Sequence, residues 1–175
     1  MIKEFLEIGQ ISSTHGIRGE VRVNPWCDSP DFLKRFKTLY YDKNGNKPIK
    51  IDSCRPHGNV VIMKLSEVDT VEEAQKLRGK TLYMKRSEAK LPSGTWFIQE
   101  LIGCNVFDAD NESISYGKIT DVSETGANDI WFIEKDSKEY IIPAIKDVVI
   151  SVDVANDRVF IRPLKGIFDE PDEIR

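Results

Sequence analysis

Trp96-Phe97-Ile98-Gln99-Glu100-Leu101-Ile102-Gly103 marks the point at which this chain changes character. Just upstream, Arg86-Ser87-Glu88-Ala89-Lys90-Leu91-Pro92-Ser93-Gly94-Thr95 reads as a connector, because Pro and Gly punctuate any regular element there. Beyond Thr95 the charge sign reverses and a new series of strand patterns begins. In a strand, neighbouring side chains face opposite ways, so Trp96 and Phe97 cannot both enter one core. One ring is therefore expected at a seam between domains or on a surface that waits for a partner. This is a lead to binding, not to catalysis.

Before the connector, the pattern is mostly strands. Residues 5–12 and 19–24 flank the loop Ser13-Thr14-His15-Gly16-Ile17-Arg18, and Val21 and Val23 alternate with Glu20, Arg22 and Asn24. Ser29 as N-cap and Pro30 at the first helical position open a short helix whose apolar side is Phe32, Leu33 and Phe36. Asn44-Gly45 separates strand-like 38–42 from 48–55, a strong hairpin signal. The turn His57-Gly58-Asn59 leads into Val60-Val61-Ile62-Met63, and Thr70 with Glu73 forms a capping box for a second helix over about 70–78. Strand 80–85 follows. Six strands with two short helices predict a small closed barrel.

The rhythm continues afterwards, with strands predicted near 101–108, 115–122, 129–135, 138–142, 148–153 and 158–162. Turns fall at Asp110-Asn111, Thr125–Asn128, Asp136-Ser137 and Asn156-Asp157, and no amphipathic pattern of helical length appears. The fold class is mainly β: two small barrels, over 1–88 and 96–165, joined by a linker over 89–95 and followed by a flexible acidic tail over 166–175.

Charge divides the chain in the same way. Residues 1–91 hold 17 Lys/Arg against 12 Asp/Glu, whereas residues 92–175 hold 8 against 17. The net values of +5 and −9 suggest a first half that tolerates phosphates and a second that attracts something basic. Phosphate repulsion opposes direct nucleic-acid binding by the second half. No apolar stretch reaches the roughly 18 residues of a membrane span, and Met1-Ile2-Lys3-Glu4-Phe5-Leu6-Glu7 lacks the apolar core of a secretory signal. Cys27, Cys54 and Cys104 are odd in number and far apart, which argues for a reducing cytoplasm rather than a disulfide framework.

No catalytic apparatus is legible. His15 and His57 stand in separate loops without a nucleophile motif, and metal-ligand spacing, a dinucleotide fingerprint and a P-loop are all missing from the sequence. No metal and no cofactor are expected. In His15-Gly16-Ile17-Arg18-Gly19-Glu20, two glycines three apart either bring backbone N–H groups and Arg18 toward an anion or only supply positive φ for a strand connection. The Gly-x-x-Gly of KH domains joins helices, and the flanks here are strand-like. Trp131 reads as core; Trp26 is either core or an exposed platform.

Thr14-His15-Gly16-Ile17-Arg18-Gly19-Glu20-Val21-Arg22-Val23, Ala74-Gln75-Lys76-Leu77-Arg78-Gly79, Glu100-Leu101-Ile102-Gly103, Gly126-Ala127-Asn128-Asp129 and Ile141-Ile142-Pro143 together resemble the RimM family of ribosome maturation factors. Each motif alone is weak; five in the right order are specific. The resemblance implies a translation-factor-like N-terminal barrel followed by a PRC-barrel. It also implies a non-enzymatic factor, cytoplasmic and monomeric, that binds the head of the immature small (30S) ribosomal subunit through small-subunit ribosomal protein nineteen and aids rRNA processing. The family usually carries two tyrosines where this chain has Trp96 and Phe97, so aromatic area is kept without a phenol hydroxyl. Partner-binding residues are then expected at Trp96, Phe97, Glu100 and Leu101, and RNA-proximal ones at His15, Arg18 and Arg22. The rival readings are a direct RNA-binding module and a small-molecule-binding barrel enzyme, the latter requiring an apolar pocket with converging polar groups.

Overall fold

The computed structural model describes residues 2–169, which form two compact units, Lys3–Leu91 and a second beginning at Pro92. Strands are the main regular structure of both.

In the first unit, β1 (Phe5–His15), β2 (Glu20–Pro25), β3 (Thr38–Tyr40), β4 (Pro48–His57), β5 (Val60–Leu65) and β6 (Thr81–Lys85) close a barrel in the order β1-β2-β5-β4-β3-β6. Alternation decides the interior: Leu6, Ile8, Ile11, Val21, Val23, Leu39, Val61, Met63, Leu65, Leu82 and Met84 are all essentially inaccessible. β1 bridges β2 and β6, and register shifts between Glu7/Gly9 and Ile11/Ser13 let this long strand bend around the closure. The β3–β4 connection is clipped by Asp42, whose carboxylate accepts from the N–H groups of Asn44, Asn46 and Lys47. Its carboxyl lies below the usual range, since these bonds outweigh a raising contribution from burial.

The two predicted helices of this unit are both present but shorter. The first is a 3-10 turn over Pro30–Arg35, with the Ser29 hydroxyl accepting from Asp31 and Leu33 buried beneath it. The second, α1 (Val71–Gln75), carries both halves of the Thr70–Glu73 capping box.

The second unit opens with a helical turn, α2 (Ile98–Leu101), where the pattern predicted a strand from 101. The Leu101 and Ile102 N–H groups donate to the Phe97 and Ile98 carbonyls, and Gly103, at φ 91°, stops the turn and donates instead to the Ile119 carbonyl. The strand predicted over 101–108 therefore begins at β7 (Asn105–Asp108). Then come β8 (Ser115–Ser123), β9 (Ile130–Lys135), β10 (Lys138–Pro143), β11 (Val149–Asp153) and β12 (Arg158–Ile161). They form a six-stranded sheet in the order β10-β9-β8-β7-β12-β11, antiparallel except for the β12–β7 pair. Leu101, Cys104, Val106, Ile119, Trp131, Ile133, Ile142, Val148, Val159 and Ile161 fill its core.

The tail differs from its expectation of flexibility as far as residue 169. Ile167 and Phe168 pack on this core, the Phe168 ring lying 4.5 Å from that of Tyr116 and 4.7 Å from that of Tyr140. Buried aromatic area holds the segment down against its acidic neighbours' preference for water. The rest of the expected tail, residues 170–175, lies outside the described residues.

Candidate functional site

The two units place their predicted site residues differently. In the first, the β1–β2 and β4–β5 hairpins end side by side because β1, β2, β5 and β4 are consecutive in the barrel. His15 closes β1 and His57 closes β4, and their rings are 6.2 Å apart. Next to them Arg55 grips Glu20 through two bonds of 2.6 and 3.2 Å, and this hydrogen bond to Arg55 draws the Glu20 carboxyl below its ordinary range. Arg22 and Arg55 flank Ile62 from either side, as the pairings Arg22↔Ile62 and Arg55↔Ile62 require. Arg18 is exposed at the tip.

The tip also carries what the sequence reading passed over: Ile17 is 83% exposed between the two glycines. The glycines themselves differ. Gly16 has positive φ and open space around it, whereas a Cβ on Gly19 would stand 2.2 Å from the Val68 carbonyl oxygen. Gly19 is required by close backbone packing, which supports the plain strand-connection reading at that position.

In the second unit, Trp96 and Phe97 precede α2 in extended chain, outside any strand, so the alternation argument does not apply to them. Both rings are nevertheless half-buried. Trp96 packs on the core and meets Trp131 edge to face. Phe97 sits at the N-cap of α2 without a side-chain capping bond. The helical turn carries Leu101 and Glu100 inward, to 3% and 6% exposure, which removes both from the docking surface expected of them. Their place is structural: Leu101 joins the core, and the Cys104 thiol donates to the Glu100 carbonyl at 3.2 Å. Ile102, at the end of the turn, is 44% exposed and takes the outward place.

Trp131 is 2% exposed, in line with its core reading, but its indole Nε1 has no hydrogen-bond partner among the described residues. Trp26 is 49% exposed, a surface ring rather than core. Tyr116 donates to Asp108 at 2.7 Å, and burial together with that bond pushes its phenol up to about 12. Among the described residues, no group of three or more His, Cys, Asp or Glu is placed to hold a metal, and no helix is long and apolar enough to cross a membrane. A shallow polar hollow lies by Lys135, Asp136, Lys138, Tyr140 and Phe168. It lacks the apolar lining of a small-molecule site.

Known families and relatives match the chain over both units. The family model described as the RimM N-terminal domain matches residues 6–89, and that of the RimM PRC barrel domain matches residues 98–167. A ribosome maturation factor RimM of Clostridium botulinum is 43% identical over 165 residues, covering 94% of this chain and 97% of that protein. One from Ruminiclostridium cellulolyticum is 37% identical over 169 residues, covering 95% and 99%. A crystal structure of a 16S ribosomal RNA processing protein RimM from Pseudomonas aeruginosa is 31% identical, covers 90% of this chain and 96% of that one, and has a TM-score of 0.46.

Proposed function

Because the chain belongs to the RimM family of ribosome maturation factors, we propose that it acts without catalysis, as an assembly factor that binds the head of the immature small ribosomal subunit through small-subunit ribosomal protein nineteen. The observation that carries this reading is an aromatic pair left partly exposed on the acidic unit. Trp96 and Phe97, with exposed Ile102 at the end of the following turn, belong to residues 92–175, whose charge is −9. A ribosomal protein is cationic, so long-range attraction brings it to this unit and the rings supply desolvated contact area. The first unit, with +5 over residues 1–91, then tolerates the rRNA backbone near His15, Arg18 and Arg22. Release follows from differential affinity: the factor stabilises one arrangement of RNA and protein and is expelled when the mature one forms.

Co-sedimentation of the purified chain with immature and mature small subunits tests the proposal. Retention on immature particles only, weakening with salt, is expected. The double substitution Trp96→Ala with Phe97→Ala should weaken retention at least tenfold, since aromatic anchors carry roughly 2 kcal/mol each. Phe97→Ala alone serves where loss of Trp96 loosens the fold. Equal retention on both particles, or of the double variant at wild-type strength, would refute the proposal.

A further inference from the structure

The outer face of β8, β9 and β10 carries an apolar strip that the core does not use. Trp131 and Ile133 point inward from β9, so Ile130, Phe132 and Glu134 point outward. Across the β9–β10 pairing, Pro143 lies opposite Ile130, Ile141 opposite Phe132 and Glu139 opposite Glu134. Ile141 is 50% exposed, although it is apolar and in the middle of a strand, while Ile130, Phe132 and Pro143 are half-buried. The strip thus runs unbroken over two strands, and β10 ends the sheet on that side.

Its border is mostly acidic. Glu134 and Glu139, both exposed, face each other directly across the ladder, and among the described residues neither closes an ion pair. Asp121 lies opposite Phe132 on the β8 side, and Asp129 precedes β9; both are exposed. Lys118 faces Glu134 from β8 and, among the described residues, is the one cation paired into this border. Like charges directly opposed across a ladder are unfavourable, and a cation arriving from outside would relieve them.

We propose that this face is a second docking surface for a basic protein segment, in which an aliphatic side chain rests on Ile141 and Phe132 and an arginine or lysine bridges Glu134 and Glu139. Charge complementarity selects the occupant. An RNA backbone would meet four carboxylates against one lysine here, and a purely apolar partner would leave the glutamates opposed. The proposal rests on the reading that the acidic unit holds a cationic protein, and it adds a surface made of residues other than Trp96 and Phe97.

The test uses the full chain and two probes: the peptide acetyl-Arg-Ile-Arg-Ile-Arg-amide, followed by amide NMR shifts, and immature small subunits, followed by co-sedimentation. The variants are Glu134→Gln with Glu139→Gln, and Ile141→Ser. Thermal melts should show both folded, the Gln pair at or above wild-type stability because a repulsion is removed. Peptide shifts centred on residues 118–143, with affinity falling about tenfold in each variant, are expected. Shifts centred elsewhere, equal affinity in the variants, or equal binding of acetyl-Glu-Ile-Glu-Ile-Glu-amide would overturn the proposal. Wild-type retention on particles with undiminished retention of both variants would also overturn it and leave the ribosomal reading standing. Failure of the wild type itself on particles would sink the ribosomal reading, and the peptide result would then decide this surface alone.

Discussion

Trp96 and Trp131 meet edge to face, with ring centroids 6.5 Å apart and planes inclined at 80°. One ring belongs to irregular chain ahead of α2 and the other to the middle of β9, so the contact ties the entrance of the second unit to its core. Trp96 also packs on the core, and only its remaining surface is accessible. Under the proposed function, packing and docking are therefore coupled in one side chain.

Trp96→Ala should lower the unfolding free energy of the second unit by about 2 kcal/mol, the scale expected for truncating a half-buried aromatic that covers another. Denaturant titration read by far-UV circular dichroism checks this, and Trp131 fluorescence should shift to the red as its cover is lost. An unchanged midpoint would mean that the edge-to-face pair contributes nothing.

Trp131→Phe should be far milder than its burial suggests. The substitution removes a buried N–H that has no acceptor among the described residues, which offsets part of the lost area. A cost within about 1 kcal/mol is expected, against roughly 3–5 kcal/mol for Trp131→Ala. Chemical denaturation of the two variants side by side decides it.

The two glycines of the β1–β2 tip should respond differently to alanine. Gly16→Ala, with φ 62° and nothing nearby, should cost about 1 kcal/mol through backbone strain alone. Gly19→Ala adds a clash with the Val68 carbonyl and should cost at least about twice as much. Thermal melts of both variants provide the comparison; equal losses would contradict the close approach at Gly19.

Alkaline stability should depend on Tyr116. Its folded-state phenol stands at about 12, above the ordinary 10.0 of the unfolded chain, so the unfolded state loses its proton first. The contribution is complete below pH 10 and falls as pH rises from about 10 toward 12. Tyr116→Phe should flatten that decline. Unfolding midpoints measured between pH 9 and 12 for both proteins test the sign, and a parallel decline would disprove it.

Part of this was legible beforehand. The barrel strands of the first unit followed from alternation around Val21 and Val23 and from the apolar run Val60–Met63 after a turn, and the Thr70–Glu73 cap followed from its capping-box spacing. Family membership was readable from five ordered motifs. α2 was missed because four residues are too few to show a 3.6-residue period, and its bonds depend on where Gly103 sends its N–H. The same turn explains why Glu100 and Leu101 were misplaced: once it forms, they rotate inward and Ile102 comes out.

What the sequence determined by itself was local: which residues alternate, which cap and which turn, and how the charge divides at the connector. Only the tertiary structure decided that Trp96 packs on the core, that His15 and His57 become neighbours, that Phe168 meets two tyrosines, and that Glu134 confronts Glu139. The physical reason is that strand pairing joins residues far apart in the chain. Alternation says which face a side chain takes but not which strand will lie beside it.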